Sequence, residues 1–483
     1  MLGAALLAPA SAGAAGPAPG TLEYLQRDNQ NMADAHGRNT QQQLGNPAYM
    51  KALQTEHNEV WLNQLAQQVA TPTRLAITPG NVFPGWNGGN PLRRGWNGSR
   101  GLSVSVAYTN RYGALIRGTV FAPLPGARDP YTGRRLKRPY PGVVITTGSV
   151  QGSERMYWWL AQDLAERGYL VLTYDVQGQG TSETLPHEND QVNAVPFCNP
   201  FAEPAAGEDF GCPGVPAQQD SNFVYGTQDA LSFFLSKPKR PYPNRNAGDT
   251  QVNAFNPLWR LFDRSRDRRT ATPGRTRRVA IVGHSLGASA VSYVQGVDRR
   301  VETVVALDKL HGEGAGGIPG PEGIKPVVPA LAVQSEYGFN VQPYWMQHGS
   351  SIQPRPGAPT EAPDPRREEA TGFDSWRAAG VDSMLVVPRA STHLEFTDIA
   401  FVLPASRYGQ ALTSVYVQRW LGRYLKHRRS RLLASRFRYL EPVDVGRWDP
   451  IELDRSERLS FYFCSGYSLG GRASTDIAGV GGC

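Results

Sequence analysis

Two segments of the chain share the pattern Gly-x-Ser-x-Gly: "GHSLG" around Ser285 and "GYSLG" around Ser468. A serine hydroxyl attacks a carbonyl only when a base takes its proton and a third group orients that base. Flanking glycines allow the sharp strand-to-helix turn that exposes such a hydroxyl. The contexts of the two serines differ. Ser285 follows the apolar run Val279-Ala280-Ile281-Val282 and precedes Ala288-Ser289-Ala290-Val291, which reads as a helix start. Ser468 follows a strand-like "LSFYF", but "RASTDIAGVGGC" after it has no helical pattern and no histidine comes later. Ser285 is therefore the candidate nucleophile and Ser468 is not.

The base must come from the histidines after Ser285, namely His311, His348, His393 or His427. His393 sits just past the strand-like "MLVVP" and is the expected base. His427 closes a basic helix and reads as solvated, and His348 falls in an irregular stretch. His311 follows Asp308 too closely to come from a separate strand. For the acid, two residues end suitable strands: Asp308 after "VETVVAL" and Glu336 after "ALAVQS". Asp308 is the favoured reading and Glu336 the alternative. An oxyanion needs two backbone N–H donors. Leu286 supplies one, and Ser149 or Val150, after "VVITTG", the other. "HGEG" at 311–314 lies downstream of Ser285 and reads as a loop.

These residues need a scaffold. "LSVSVAYT" and "ALIRGTVFAP" read as a hairpin. From "PGVVITTGS" onward, buried strands alternate with helices: "YWWLAQDLAERG", "YLVLTYD", "NFVYGTQDALSFFLSK", "RRVAIVGHS", "LGASAVSYVQGV", "VETVVALD", "PALAVQSE", "DSMLVVPRAS" and a final helix over 404–427. The alternation predicts an α/β fold, a mostly parallel central sheet with helices on both faces. Reactive groups in such sheets gather at the carboxyl ends of the strands.

The remaining segments are expected to frame this domain. Residues 1–20 carry an apolar run and an Ala-Ser-Ala site and read as an export signal. An N-terminal extension covers 21–100, helical where Trp61, Leu62, Leu65 and Val69 recur at spacings of three and four. "GWNG" occurs twice, with Trp86 and Trp96 read as buried in turns. The α/β domain is expected to span 101–430, with insertions at 183–275 and 338–372, and a C-terminal extension runs over 431–483. The four cysteines favour two local pairs, Cys198 with Cys212 and Cys464 with Cys483, in an oxidising compartment. No Cys/His spacing suggests zinc, and no later stretch approaches the roughly 18 apolar residues that span a bilayer. The formal charge of +8 is concentrated in "RLFDRSRDRRTATPGRTRR" and "RYLKHRRSR". No nucleic-acid motif accompanies these runs, so they read as a solvated basic surface, one that could still favour an anionic surface or polymer.

Over roughly residues 101–428 the chain resembles the α/β-hydrolase superfamily. Within it, the chain looks most like the platelet-activating factor acetylhydrolase and dienelactone-hydrolase-like esterases, with bacterial cutinases nearby. "GHSLGA" matches the elbow, "VVALD" matches the acetylhydrolase placement of the acid, and "STHLEFTD" resembles that family's His-x-x-Phe-x-Asp segment. The resemblance implies a triad of Ser285, Asp308 and His393. It implies a secreted serine hydrolase that cleaves small or polymeric carboxylic esters through an acyl-enzyme, without metal or organic cofactor. A lipase, polyesterase or peptidase with the same triad, and a binding protein on the same fold, are the alternatives. "TTGSVQG" departs from the common His-Gly oxyanion loop.

Overall fold

A computed structural model describes residues 16–70, 88–149, 153–183, 219–313, 323–351, 353–399 and 408–483. Strands β1 (Gly101–Thr109) and β2 (Leu115–Pro123) form an antiparallel hairpin. Then come β3 (Gly142–Thr146), β4 (Leu170–Tyr174), β5 (Val279–His284), β6 (Thr303–Leu307) and β7 (Ala330–Val333). A two-residue pair, β8 (His348–Gly349) and β9 (Pro354–Arg355), stands apart, and β10 (Ser383–Val386) rejoins the main sheet. The sheet begins β1-β2-β4-β3-β5-β6-β7-β10. Every pairing from β4 through β10 is parallel, while β2 meets β4 antiparallel.

The central strands are runs of Val, Ile, Leu and Ala because both of their faces are covered. Alternate side chains go to opposite layers. Val143, Ile145, Ala280 and Val282 pack with the aromatic residues of α3 (Trp158–Glu166) and the last long helix. Val144, Ile281 and Val304 pack toward α4 (Asp220–Leu235) and α5 (Leu286–Val297). That last long helix follows the short α6 (Asp374–Ala378) and is α7 (Tyr408–Lys426), where Trp420 donates its indole N–H to Thr303 Oγ1 at 2.8 Å. Trp96 is buried, as expected, with its indole on Glu166 at 2.7 Å. This strand order, with its crossover helices and the turn after β5, is the α/β-hydrolase fold.

The ends of the chain hold more structure than their sequence suggests. Two helices open the described chain, α1 (Leu22–Gln42) and α2 (Pro47–Ala70). The α1 face turned inward is largely polar, with Asp28, Asn31 and Asn39 buried. Asp28 accepts from the Tyr462 hydroxyl at 2.6 Å and the Tyr344 N–H at 3.2 Å. Asn31 donates to Glu336 at 2.5 Å and Tyr337 Oη at 2.7 Å and accepts from Arg389 at 2.8 Å. At the other end, β11 (Arg436–Asp444) and β12 (Arg447–Asp454) form a separate hairpin. Then β13 (Gly466–Leu469) adds antiparallel to β10, and β14 (Arg472–Ser474) completes the sheet. A disulfide joins Cys464 to Cys483, with Cα atoms 5.9 Å apart. Trp86, Cys198 and Cys212 lie outside the described residues.

Candidate active site

The turn after β5 is built on close approach. A Cβ at Gly283 would stand 2.0 Å from the Gly287 carbonyl oxygen, and one at Gly287 would stand 2.4 Å from that of Thr147. Only glycine fits either place. Between them Ser285 takes φ 56° and ψ −124°, a strained backbone for a residue with a side chain. Such conformations cost about 1–3 kcal/mol and collect at functional sites. Ser285 is half-buried at the head of α5. Ser468 is unlike it, lying in β13 opposite Ser383 in an ordinary antiparallel ladder.

The neighbouring strand brings up the acid. The Ser285 N–H donates to Leu307 O at 3.1 Å, so Asp308 begins where β6 ends beside the elbow. Asp308 is fully buried, and its Oδ2 lies 2.8 Å from His393 Nδ1. Ser335 donates its hydroxyl to the same oxygen at 2.5 Å and its N–H to Oδ1 at 3.4 Å. Burial alone would push this carboxyl up. The hydrogen bond and charge of His393, with Lys309 and Ser335, outweigh burial and hold it at about 2. An ionised Asp308 only accepts, so Nδ1 of His393 carries the proton of this bond and Nε2 is the ring nitrogen left to face the serine side. Glu336 is buried but turned elsewhere, accepting from Asn31 and from the Ala390 N–H at 2.7 Å. Of the two acids weighed from sequence, Asp308 is therefore the one seated on the imidazole.

A second histidine braces the first. His284 Nε2 lies 2.9 Å from the His393 carbonyl oxygen, and the two rings sit 4.6 Å apart. Its Nδ1 lies 2.7 Å from the Tyr157 hydroxyl, which accepts from the Gly148 N–H at 2.9 Å. Burial, helped by the nearby His393, lowers His284 to about 3, so the ring is neutral. A carbonyl can only accept, so Nε2 donates and Nδ1 accepts from Tyr157. The chain of bonds is satisfied at every atom. It ties the histidine loop, the residue before Ser285 and the loop after β3 into one unit. Trp159 adds a bond from its indole to Phe396 O at 3.2 Å.

The loop after β3 passes close to the elbow. A Cβ on Gly148 would fall 3.0 Å from Ser285 Cβ. Ser149, the next residue, is half-buried there, and Val150 lies outside the described residues. Leu286 opens α5, where the N–H has no acceptor within the helix. Phe339, which sequence reading did not single out, stays 43% exposed and sets its ring edgewise on His393 with centroids 4.8 Å apart. His427 is not solvated as expected, because its Nε2 bonds Asp267 at 2.5 Å and the ring is mostly covered. His348 belongs to β8, and His311 is held by its own N–H on Ser292 Oγ at 3.2 Å.

Sequence could have flagged His284, which stands beside the serine, but nothing in it links Tyr157 or Ser335 to the site. Among the described residues no three His, Cys, Asp or Glu side chains converge as metal ligands, and no helix is long and apolar enough to cross a membrane. No family model matches the chain, and no curated protein matches it. Among solved structures the chain is similar to a ferulic acid esterase from Streptomyces cinnamoneus, at 17% identity over 68% of this chain and 91% of that one, with a TM-score of 0.38.

Proposed function

We propose that the protein is a secreted serine hydrolase of carboxylic esters, with Ser285 as nucleophile, His393 as base and Asp308 as the orienting acid. The observation that carries this reading is the buried Asp308–His393 bond beside a serine held at positive φ. Ser285 Oγ attacks the ester carbonyl while His393 Nε2 takes its proton. The negative oxygen rests on the N–H of Leu286 and an N–H of the loop at Ser149–Val150. Each such donor contributes about 3 kcal/mol in the transition state. His393 then protonates the departing alcohol. Water, deprotonated by the same nitrogen, releases the acid and restores Ser285. Asp308 stays ionised throughout and stabilises the imidazolium.

Phe339 sets an exposed apolar ring against His393, which supports an ester with an apolar acyl or alcohol part. The Cys464–Cys483 disulfide supports an oxidising compartment outside the cytosol. Residues 101–430 make the catalytic domain in this reading, and the flanking segments brace it. The test is hydrolysis of p-nitrophenyl butyrate by wild type, Ser285→Ala and Ser468→Ala. The reading expects only Ser285→Ala to lose turnover. Turnover that survives Ser285→Ala overturns it.

A further inference from the structure

At the opposite end of the sheet, where β4 begins, a cavity of about 350 Å³ opens between α7, the chain after it and the segment around Tyr131. Half of its lining residues are cationic, Arg167, Arg419, Lys426, Arg428, Arg429, Arg431 and Arg438, and the other half are neutral. Helix ends explain part of this. The carbonyl ends of α3 and α7 attract cations, and Lys426 donates to Arg167 O at 2.6 Å while lying 3.6 Å over the Tyr169 ring. Arg419 likewise bonds Arg431 O and covers the Phe437 ring. Asp129 serves Arg167 and, at 3.8 Å, Arg428.

The rest of the charge has no such account. Among the described residues, no carboxylate lies within ion-pair distance of Arg419, Lys426, Arg429, Arg431 or Arg438. Burial, and then Arg428 and Arg167, push the Lys426 ammonium well below its usual range. Burial also lowers Arg419, with Arg167 and Arg431 acting in the same direction. Like charges crowd here at a cost that a bound anion would relieve.

We infer that this cavity binds a phosphoryl group, held by the guanidinium forks of Arg429, Arg431 and Arg438 above the Lys426–Tyr169 floor. Planar guanidinium groups match the oxygens of a tetrahedral anion in pairs. The three exposed arginines have no hydrogen bond from their side chains within the described chain, so they are free to close on a ligand. The group could come from a free phosphorylated small molecule or from a phospholipid headgroup. The site lies away from Ser285 and does not depend on the ester reading.

The experiment titrates the whole protein with inorganic pyrophosphate by calorimetry at fixed ionic strength. A second arm sediments it with vesicles of phosphatidylglycerol and phosphatidylcholine. Wild type, Arg431→Ala/Arg438→Ala and Lys51→Ala are compared, with unfolding temperature as the check on folding. The inference expects saturable binding at one site in at least one arm. The paired variant should weaken it about tenfold or more, since two charge-assisted contacts are removed. Lys51→Ala, exposed on α2, should bind as wild type does. Binding to pyrophosphate alone assigns a soluble ligand, and binding to vesicles that pyrophosphate competes away assigns a headgroup. No saturable binding in either arm overturns the inference, and so does equal weakening in both variants.

Discussion

Replacing Tyr157 with Phe removes one hydroxyl and two hydrogen bonds, yet no contact with substrate. The phenol donates to His284 Nδ1 at 2.7 Å and accepts from the Gly148 N–H at 2.9 Å, and all three groups are buried. Phenylalanine preserves the packing but strands a buried acceptor and a buried donor. Each stranded group costs about 1–3 kcal/mol, so Tyr157→Phe should lose about 2–6 kcal/mol of stability. The effect on turnover follows from geometry. Gly148 adjoins the proposed oxyanion donor, and His284 holds the His393 carbonyl. Deleting an oxyanion donor outright costs about 100- to 1,000-fold in kcat. Loosening one should cost less, about 10- to 30-fold, with KM little changed because the bond matters most in the transition state. The assay is p-nitrophenyl butyrate kinetics beside denaturant unfolding. If Tyr157→Phe keeps wild-type kcat and stability, the relay does not position the site. If KM rises alone, the hydroxyl acts on substrate binding instead.

Three further outcomes follow from the same geometry. His284 stays neutral in the folded protein down to about pH 3, whereas an unfolded histidine takes a proton near pH 6.5. Between those values the unfolded state binds more protons, so stability rises with pH there, and the wild-type slope between pH 4 and 6 should exceed that of His284→Gln by about 1.4 kcal/mol per pH unit in unfolding curves. Asp308→Asn can turn its amide donor toward His393 Nδ1, leave the proton on Nε2 and cut kcat by about 10⁴-fold, whereas Glu336→Gln should keep kcat near wild type; a reversed order in steady-state kinetics would assign the acid to Glu336. Opening the Cys464–Cys483 bridge, which spans a separation of 19 residues, with Cys483→Ser should cost about 3 kcal/mol by chain entropy, read as a lower denaturant midpoint with the β13–β10 pairing released first in hydrogen exchange.

The sheet was legible because its strands must be apolar on both faces. "VVIT", "VAIV" and "TVVAL" announce themselves, and each is followed by the loop that carries Gly148, Ser285 or Asp308. The elbow was legible because Gly283 and Gly287 are forced by atoms within 2.0 and 2.4 Å of any added Cβ. Helix α1 was hidden for the opposite reason. Its buried face is Asp28, Asn31 and Asn39, so apolar periodicity could not register it, and its fit depends on partners such as Glu336 and Tyr462 far along the chain. The C-terminal strands were missed because β13 and β14 are short and pair at the edge, where half-exposed residues carry no strong pattern. The Tyr157–His284–His393 relay joins residues from three separate segments. Only the fold brings them together, so no local motif could reveal it.

The most direct test of the central claim is a covalent one. Wild-type protein is treated with a fluorophosphonate, digested, and mapped by mass spectrometry, with Asp308→Asn treated in parallel. The account predicts a single adduct on the peptide holding Ser285, formed far more slowly in Asp308→Asn. An adduct on Ser468, or folded protein that forms none, would contradict it.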